Sequence, residues 1–173
     1  MSKSGLFIVI LLFIFAVVWT SMSTPSEEEI LAEAVDAAQV HFEQEAHTPN
    51  TILEHFSLYV PADFEIVEES DSNVLVKQGD QTYLLFHNPI ESDTSQLHYE
   101  VAKAADNSER LVSFENKERF GYINIVEDSS GYELQLGVGG TKITTITDQS
   151  KLVDNSIHMM DMIRSINYKE GAS

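Results

Sequence analysis

Between Leu6 and Trp19 the chain has no polar residue, and twelve of these fourteen positions are Leu, Ile, Phe or Val. Each favours insertion by roughly 0.3–0.6 kcal/mol, about 5 kcal/mol in sum. Gly5, Thr20, Ser21 and Met22 extend the uncharged run to eighteen residues, near the shortest helix that spans a bilayer. Residues 1–23 are therefore expected to be a membrane anchor, meeting the lipid bilayer through residues 5–22. Lys3 and the amino terminus precede the run and the next charge is Glu27. The positive-inside rule then leaves the amino terminus in the cytoplasm and residues 23–173 outside. A cleaved signal peptide is the alternative, with Ser21-Met22-Ser23 as its site and the domain secreted after a cut near Ser23.

Past the anchor the apolar period becomes helical. Thr24 is expected to cap a helix with Pro25 in its first turn and Glu27 completing a capping box. Leu31, Val35, Ala38 and Phe42 recur along one side, and Glu28, Glu33, Asp36 and Glu43 take the other. Residues 24–46 thus read as an amphipathic helix that packs on the domain or serves as a stalk. His47 to Asn50, with Pro49, ends it.

From Phe56 the period is two. Strands are expected at Phe56 to Val60, Phe64 to Glu68, Asn73 to Lys77 and Gln81 to Asn88, the last pair joined by a Gln78-Gly79-Asp80 hairpin. Thr82 to Phe86 is apolar on both faces, as a strand covered on both sides would be. Leu97 to Ala105 reads as a short helix with Leu97, Val101 and Ala104 on one side. Arg110 to Phe114 reads as an edge strand with Asn116-Lys117-Glu118 as its turn. Phe120 to Val126 and Tyr132 to Val138 follow. Gly139-Gly140 supplies two positive-φ positions for a tight hairpin that sets Leu136 opposite Ile143 and Gly137 opposite Lys142. Ser150 is expected to cap a final helix whose stripe is Val153, Ile157, Met160 and Ile163. That helix lies across the sheet, and residues 169–173 form a flexible tail. The expected class is α+β: a transmembrane helix, an amphipathic helix, and an extracytoplasmic domain at residues 47–168 in which an antiparallel sheet is closed by a C-terminal helix.

Charge narrows the choice of partner. The net charge is −18, and all 28 acidic residues follow the anchor together with nine of the ten Lys and Arg. Such a surface repels nucleic acid and anionic head groups. With no cysteine there is no disulfide, thiolate metal site or thiol nucleophile.

No strong catalytic motif stands out. The six histidines show no H-E-x-x-H spacing and read as ordinary surface residues, and no Gly-x-Ser-x-Gly elbow occurs. Asp71-Ser72-Asn73 begins like a calcium loop but lacks its later ligands. Gly137 to Lys142 has the glycines and lysine of a phosphate loop in the wrong order, and strand residues follow where a helix is required. No catalytic residue, metal ligand or cofactor is assigned. Gly137, on the outer strand face, is instead expected to bare its backbone as contact surface. With Gln135, Lys142 and Thr144 it forms the candidate partner surface.

Ser57-Leu58-Tyr59-Val60-Pro61-Ala62-Asp63-Phe64 and Met159-Met160-Asp161-Met162-Ile163-Arg164-Ser165-Ile166 are similar to segments of small exported domains with the PsbP/Mog1-like layout. The chain also resembles uncharacterised one-pass extracytoplasmic proteins of Gram-positive bacteria. The resemblance implies location in a cell envelope and transfers no catalytic residue. The expected function is a membrane-anchored binding or accessory module of a bacterial envelope, not an enzyme, with another envelope protein as its partner. An envelope hydrolase without a recognisable motif and a structural subunit of a membrane complex are the alternatives.

Overall fold

A computed structural model describes Ile10, Phe13 and residues 25–169. The expected anchor, residues 1–23, lies outside the described residues apart from Ile10 and Phe13. Among the described residues no helix is long and apolar enough to cross a membrane.

The fold is α+β, with three α-helices among the described residues and only antiparallel pairing between strands. Helix α1 (Glu27–Glu43) leads into β1 (Thr51–Ile52), β2 (Phe56–Leu58), β3 (Glu65–Glu69), β4 (Asn73–Gln78) and β5 (Gln81–His87). Helix α2 (Leu97–Ala105) precedes β6 (Arg110–Glu115), β7 (Phe120–Asp128), β8 (Gly131–Val138) and β9 (Thr141–Thr147). Helix α3 (Leu152–Arg164) and β10 (Asn167–Tyr168) complete it. A seven-stranded sheet has the order β3-β4-β5-β9-β8-β7-β6, and a small sheet has the order β1-β2-β10. Of the small sheet only β2 follows from the sequence pattern; β1 and β10, of two residues each, are too short to show a period.

Helix α1 begins two residues later than the sequence suggests. Ser26 is its cap: the Ser26 side chain accepts from the Glu29 N–H at 3.3 Å, and Glu29 accepts from the Ser26 N–H at 2.7 Å. Three successive glutamates make this register possible, and Pro25 then precedes the cap. Leu31, Ala34, Ala38 and Phe42 are buried and belong to the same core as the sheet, so the helix packs on the domain rather than standing off it as a stalk. Phe42 lies against Phe114, with centroids 5.7 Å apart, and over Gly121, where an added Cβ would stand 2.7 Å from the ring. Bare backbone at Gly121 is what lets the helix settle onto β7.

The core fills the space between the sheet and the pair α1 and α3. Leu134 and Leu136 on β8 face it, flanked by Ile125 and Ile123 on β7 and by Thr145 and Ile143 on β9. Helix α3 supplies Leu152, Met159, Met160 and Ile163. A polar tie crosses this apolar layer. The Tyr83 hydroxyl donates to Asn155 Oδ1 at 2.7 Å, and Asn155 Nδ2 donates to Thr147 Oγ1 at 2.6 Å. Buried polar groups satisfied in this way fix the register of the helix on the sheet.

Several expected details change. Leu84 on β5 is 47 % exposed, so the outer face of that strand is covered only at Phe86, which lies against His98 of α2 with ring centroids 5.5 Å apart. Leu97 and Val101 face solvent, because α2 meets the outer face of the sheet through Tyr99 and Ala102 instead. Ser150 caps nothing: Gln149–Lys151 is a 3₁₀ turn that runs into α3 without a side-chain cap. Only Gly139 of the Gly139-Gly140 turn has positive φ, at 54°. Gly140 is required for closeness, since a Cβ there would stand 2.6 Å from the Asn88 carbonyl oxygen. Lys169, expected in a loose tail, donates through Nζ to the carbonyls of Leu53 and Glu54 at 2.6 and 2.9 Å. Residues 170–173 lie outside the described residues.

Candidate functional site

The expected partner surface on β8 and β9 is assembled as the hairpin register requires, Gln135 opposite Thr144 and Gly137 opposite Lys142. Its centre is nevertheless covered. Gly137 is buried, and the ring of Tyr122, its partner on β7, occupies the space a side chain would take. The reason is a cross-strand exchange in which an aromatic ring shields a neighbouring glycine. Gln135 donates to Glu133, and Gln135, Lys142 and Thr144 are each half-buried. The bare backbone anticipated at Gly137 is therefore not free contact surface.

Two arginines meet at the opposite, helix-covered side of the same hairpin. There a cavity of about 320 Å³ opens among Asp93, Arg119, Thr141, Arg164, Asn167 and Tyr168. Five separate segments meet at it. Arg119 leaves the β6–β7 turn, which Asn116 Oδ1 fixes by accepting from the N–H groups of Glu118 and Arg119 at 2.9 and 3.0 Å. Arg164 is the last residue of α3; its Nη2 donates to the Gln44 carbonyl at 2.8 Å, and its guanidinium stands 5.6 Å from the Phe42 ring centre. Tyr168, on β10, exchanges a hydrogen bond with Thr141 at 3.2 Å.

The electrostatics of this cavity are unusual for so acidic a chain. It draws together two of the three arginines in the sequence. Among the described residues, the buried Nε atoms of both Arg119 and Arg164 lack a hydrogen-bond partner. Burial, and then the positive charge of Arg119, hold Arg164 below the usual guanidinium range. Two like charges brought close are a cost that a bound anion removes. Burial raises the Tyr168 phenol, so it stays a neutral hydrogen-bonding group.

The sequence reading missed this site. Arg119 sits on a turn and Arg164 at a helix end, both ordinary places for a solvated cation, and only the fold brings them to one wall. The scarcity of arginine against 28 acids was the available signal. Of the six histidines expected at the surface, His87 alone is fully buried among the described residues. Its ring stands edge-on to Phe56 at 4.5 Å, and both of its ring nitrogens lack partners among the described residues. His41 and His47 share Asp161, at 2.7 and 3.4 Å, linking α1 and the following loop to α3. Among the described residues no group of three or more His, Cys, Asp or Glu is arranged to hold a metal ion. Gly137 to Lys142 is a β-hairpin and not a phosphate loop.

No known protein family, curated protein or solved structure matches the chain.

Proposed function

We propose that the protein is a membrane-anchored, extracytoplasmic binding module of a bacterial cell envelope, and that it takes an anionic group between Arg119 and Arg164. The anchor rests on the uncharged run at residues 5–22 with Lys3 before it and every acid after it. Ile10 and Phe13, 48 % and 70 % exposed, take no part in the domain core, in keeping with a lipid-facing role. The convergence of two arginines on one cavity, in a chain of net charge −18, carries the binding reading. Guanidinium is the group suited to planar or tetrahedral anions, since its donors are fixed in a fork. Binding fits better than catalysis here, because the cavity hydroxyls of Thr141 and Tyr168 hydrogen-bond each other and not a carboxylate or imidazole.

Melting of the full-length chain in mild detergent tests the pocket. Acetate and phosphate should raise the melting temperature relative to chloride at equal ionic strength, and Arg119→Gln should abolish the rise. Equal melting in all salts would remove the anion site. For the location, protease added to wall-stripped cells should digest residues beyond 23 while a cytoplasmic control survives. Full protection would reverse the orientation.

A further inference from the structure

We propose that the ligand of the arginine cavity is a small amino acid, bound by its carboxylate at Arg119 and Arg164 and by its ammonium at Asp93. This rests on the anionic reading given above and adds the class of compound. Asp93 lines the same cavity as the two guanidinium groups, yet no ion pair joins it to either of them among the described residues. Arg119 pairs instead with the exposed Glu118, at 3.5 Å, and Asp93 stands apart from both guanidinium groups, so a ligand carrying both signs satisfies both ends. A phosphate or a simple carboxylate would answer the arginines and leave Asp93 repelling it.

Asp93 is held where it is by its backbone. Its carbonyl accepts from the Phe120 N–H at 2.9 Å. Its Cα also lies so close to Gly139 that a Cβ on that glycine would stand 2.5 Å away. Asp93 is exposed and lines the cavity together with Thr141 and Tyr168, which places it at the rim. At about 320 Å³ the cavity is at the lower end of the range of ligand pockets, roughly 300–1,000 Å³, and admits a compound of a few heavy atoms. Asn167 at the wall adds an amide able to donate or accept toward the middle of such a ligand.

Isothermal titration of the full-length chain in mild detergent with glycine, L-alanine, D-alanine, acetate and methylamine tests this. At least one of the three amino acids should bind ten-fold or more tightly than acetate, and methylamine should not bind measurably. Asp93→Asn should bring that amino acid down to the acetate level without changing acetate binding, and Arg119→Gln should weaken both. Asp93 is exposed and its side chain makes no hydrogen bond in the structure, so the variant is expected to melt like the parent. Acetate binding as tightly as every amino acid, or an Asp93→Asn variant with unchanged preference, would overturn the zwitterion proposal while leaving the anion site standing. Failure of all five probes would overturn both.

Discussion

The ring of Tyr122 lies directly over Gly137 on the neighbouring strand, so closely that a Cβ placed on the glycine would overlap the ring and stand 2.9 Å from Cδ1. Strand propensity alone expects Gly137→Val to stabilise the sheet. The contact reverses that sign, because the branched side chain must displace a buried aromatic. Overpacking of this kind costs about 1–3 kcal/mol. Urea unfolding of Gly137→Val should show that loss, and a cycle with Tyr122→Ala should show coupling, since the valine has room once the ring is gone. Additive losses would mean that the ring moves aside freely.

Leu136 is wholly buried between Ile123 and Ile143. Leu136→Asp places a carboxylate where no partner is available and should cost several kcal/mol, or else drive the side chain to bind a proton. Melting unchanged by this substitution would show that the strand faces are assigned the wrong way round.

Phe42 ties α1 to both the sheet and α3, through Phe114 and the guanidinium of Arg164. Phe42→Ala should cost about 3–5 kcal/mol. A chain that starts at residue 47 loses the whole buried face of α1 and should melt well below one that starts at residue 25. Equal melting of the two would return the helix to the role of a stalk.

Stability should fall on mild acidification. Burial, and next the charge of His55, hold His87 below the usual histidine range, and burial with Lys142 does the same for His98. In the unfolded chain these side chains take up a proton near the ordinary value, about 6.5. Between that value and the lowered folded one the unfolded chain binds more protons, so stability rises with pH across this window. It is fully present above the ordinary value and is lost as pH falls below it. Melting followed from pH 7 to pH 5 should decline, and His87→Phe should decline less. A parallel decline in both would remove His87 as a cause.

Elements with a long, regular apolar period were legible in the sequence. The amphipathic helix, the register of Leu136 on Ile143 and the last helix all followed from spacing alone. Elements that depend on a second element for their meaning were not. Leu97 and Val101 look like a packing stripe, yet α2 uses Tyr99 and Ala102, because what it packs on is Phe120 and Tyr122 rather than the core. Gly137 was legible as an outer-face glycine, and its covering ring was not, since the ring belongs to the adjacent strand. The arginine cavity was invisible for the same reason: its walls come from a turn, a helix end, a loop, a hairpin and a two-residue strand.

The most direct test of the binding site follows the arginine side chains themselves. The sequence holds three arginines, Arg110, Arg119 and Arg164, so the Nε–Hε region of an ¹⁵N-correlated NMR spectrum should hold three resolvable signals. Arg110 lies on the edge strand β6, where it pairs with Glu28 at 3.2 Å, and serves as the internal control. On titration with acetate at constant ionic strength, the Arg119 and Arg164 signals should move together along one saturable curve while Arg110 stays in place. Three signals drifting equally and without saturation, or none moving, would contradict a shared anion site.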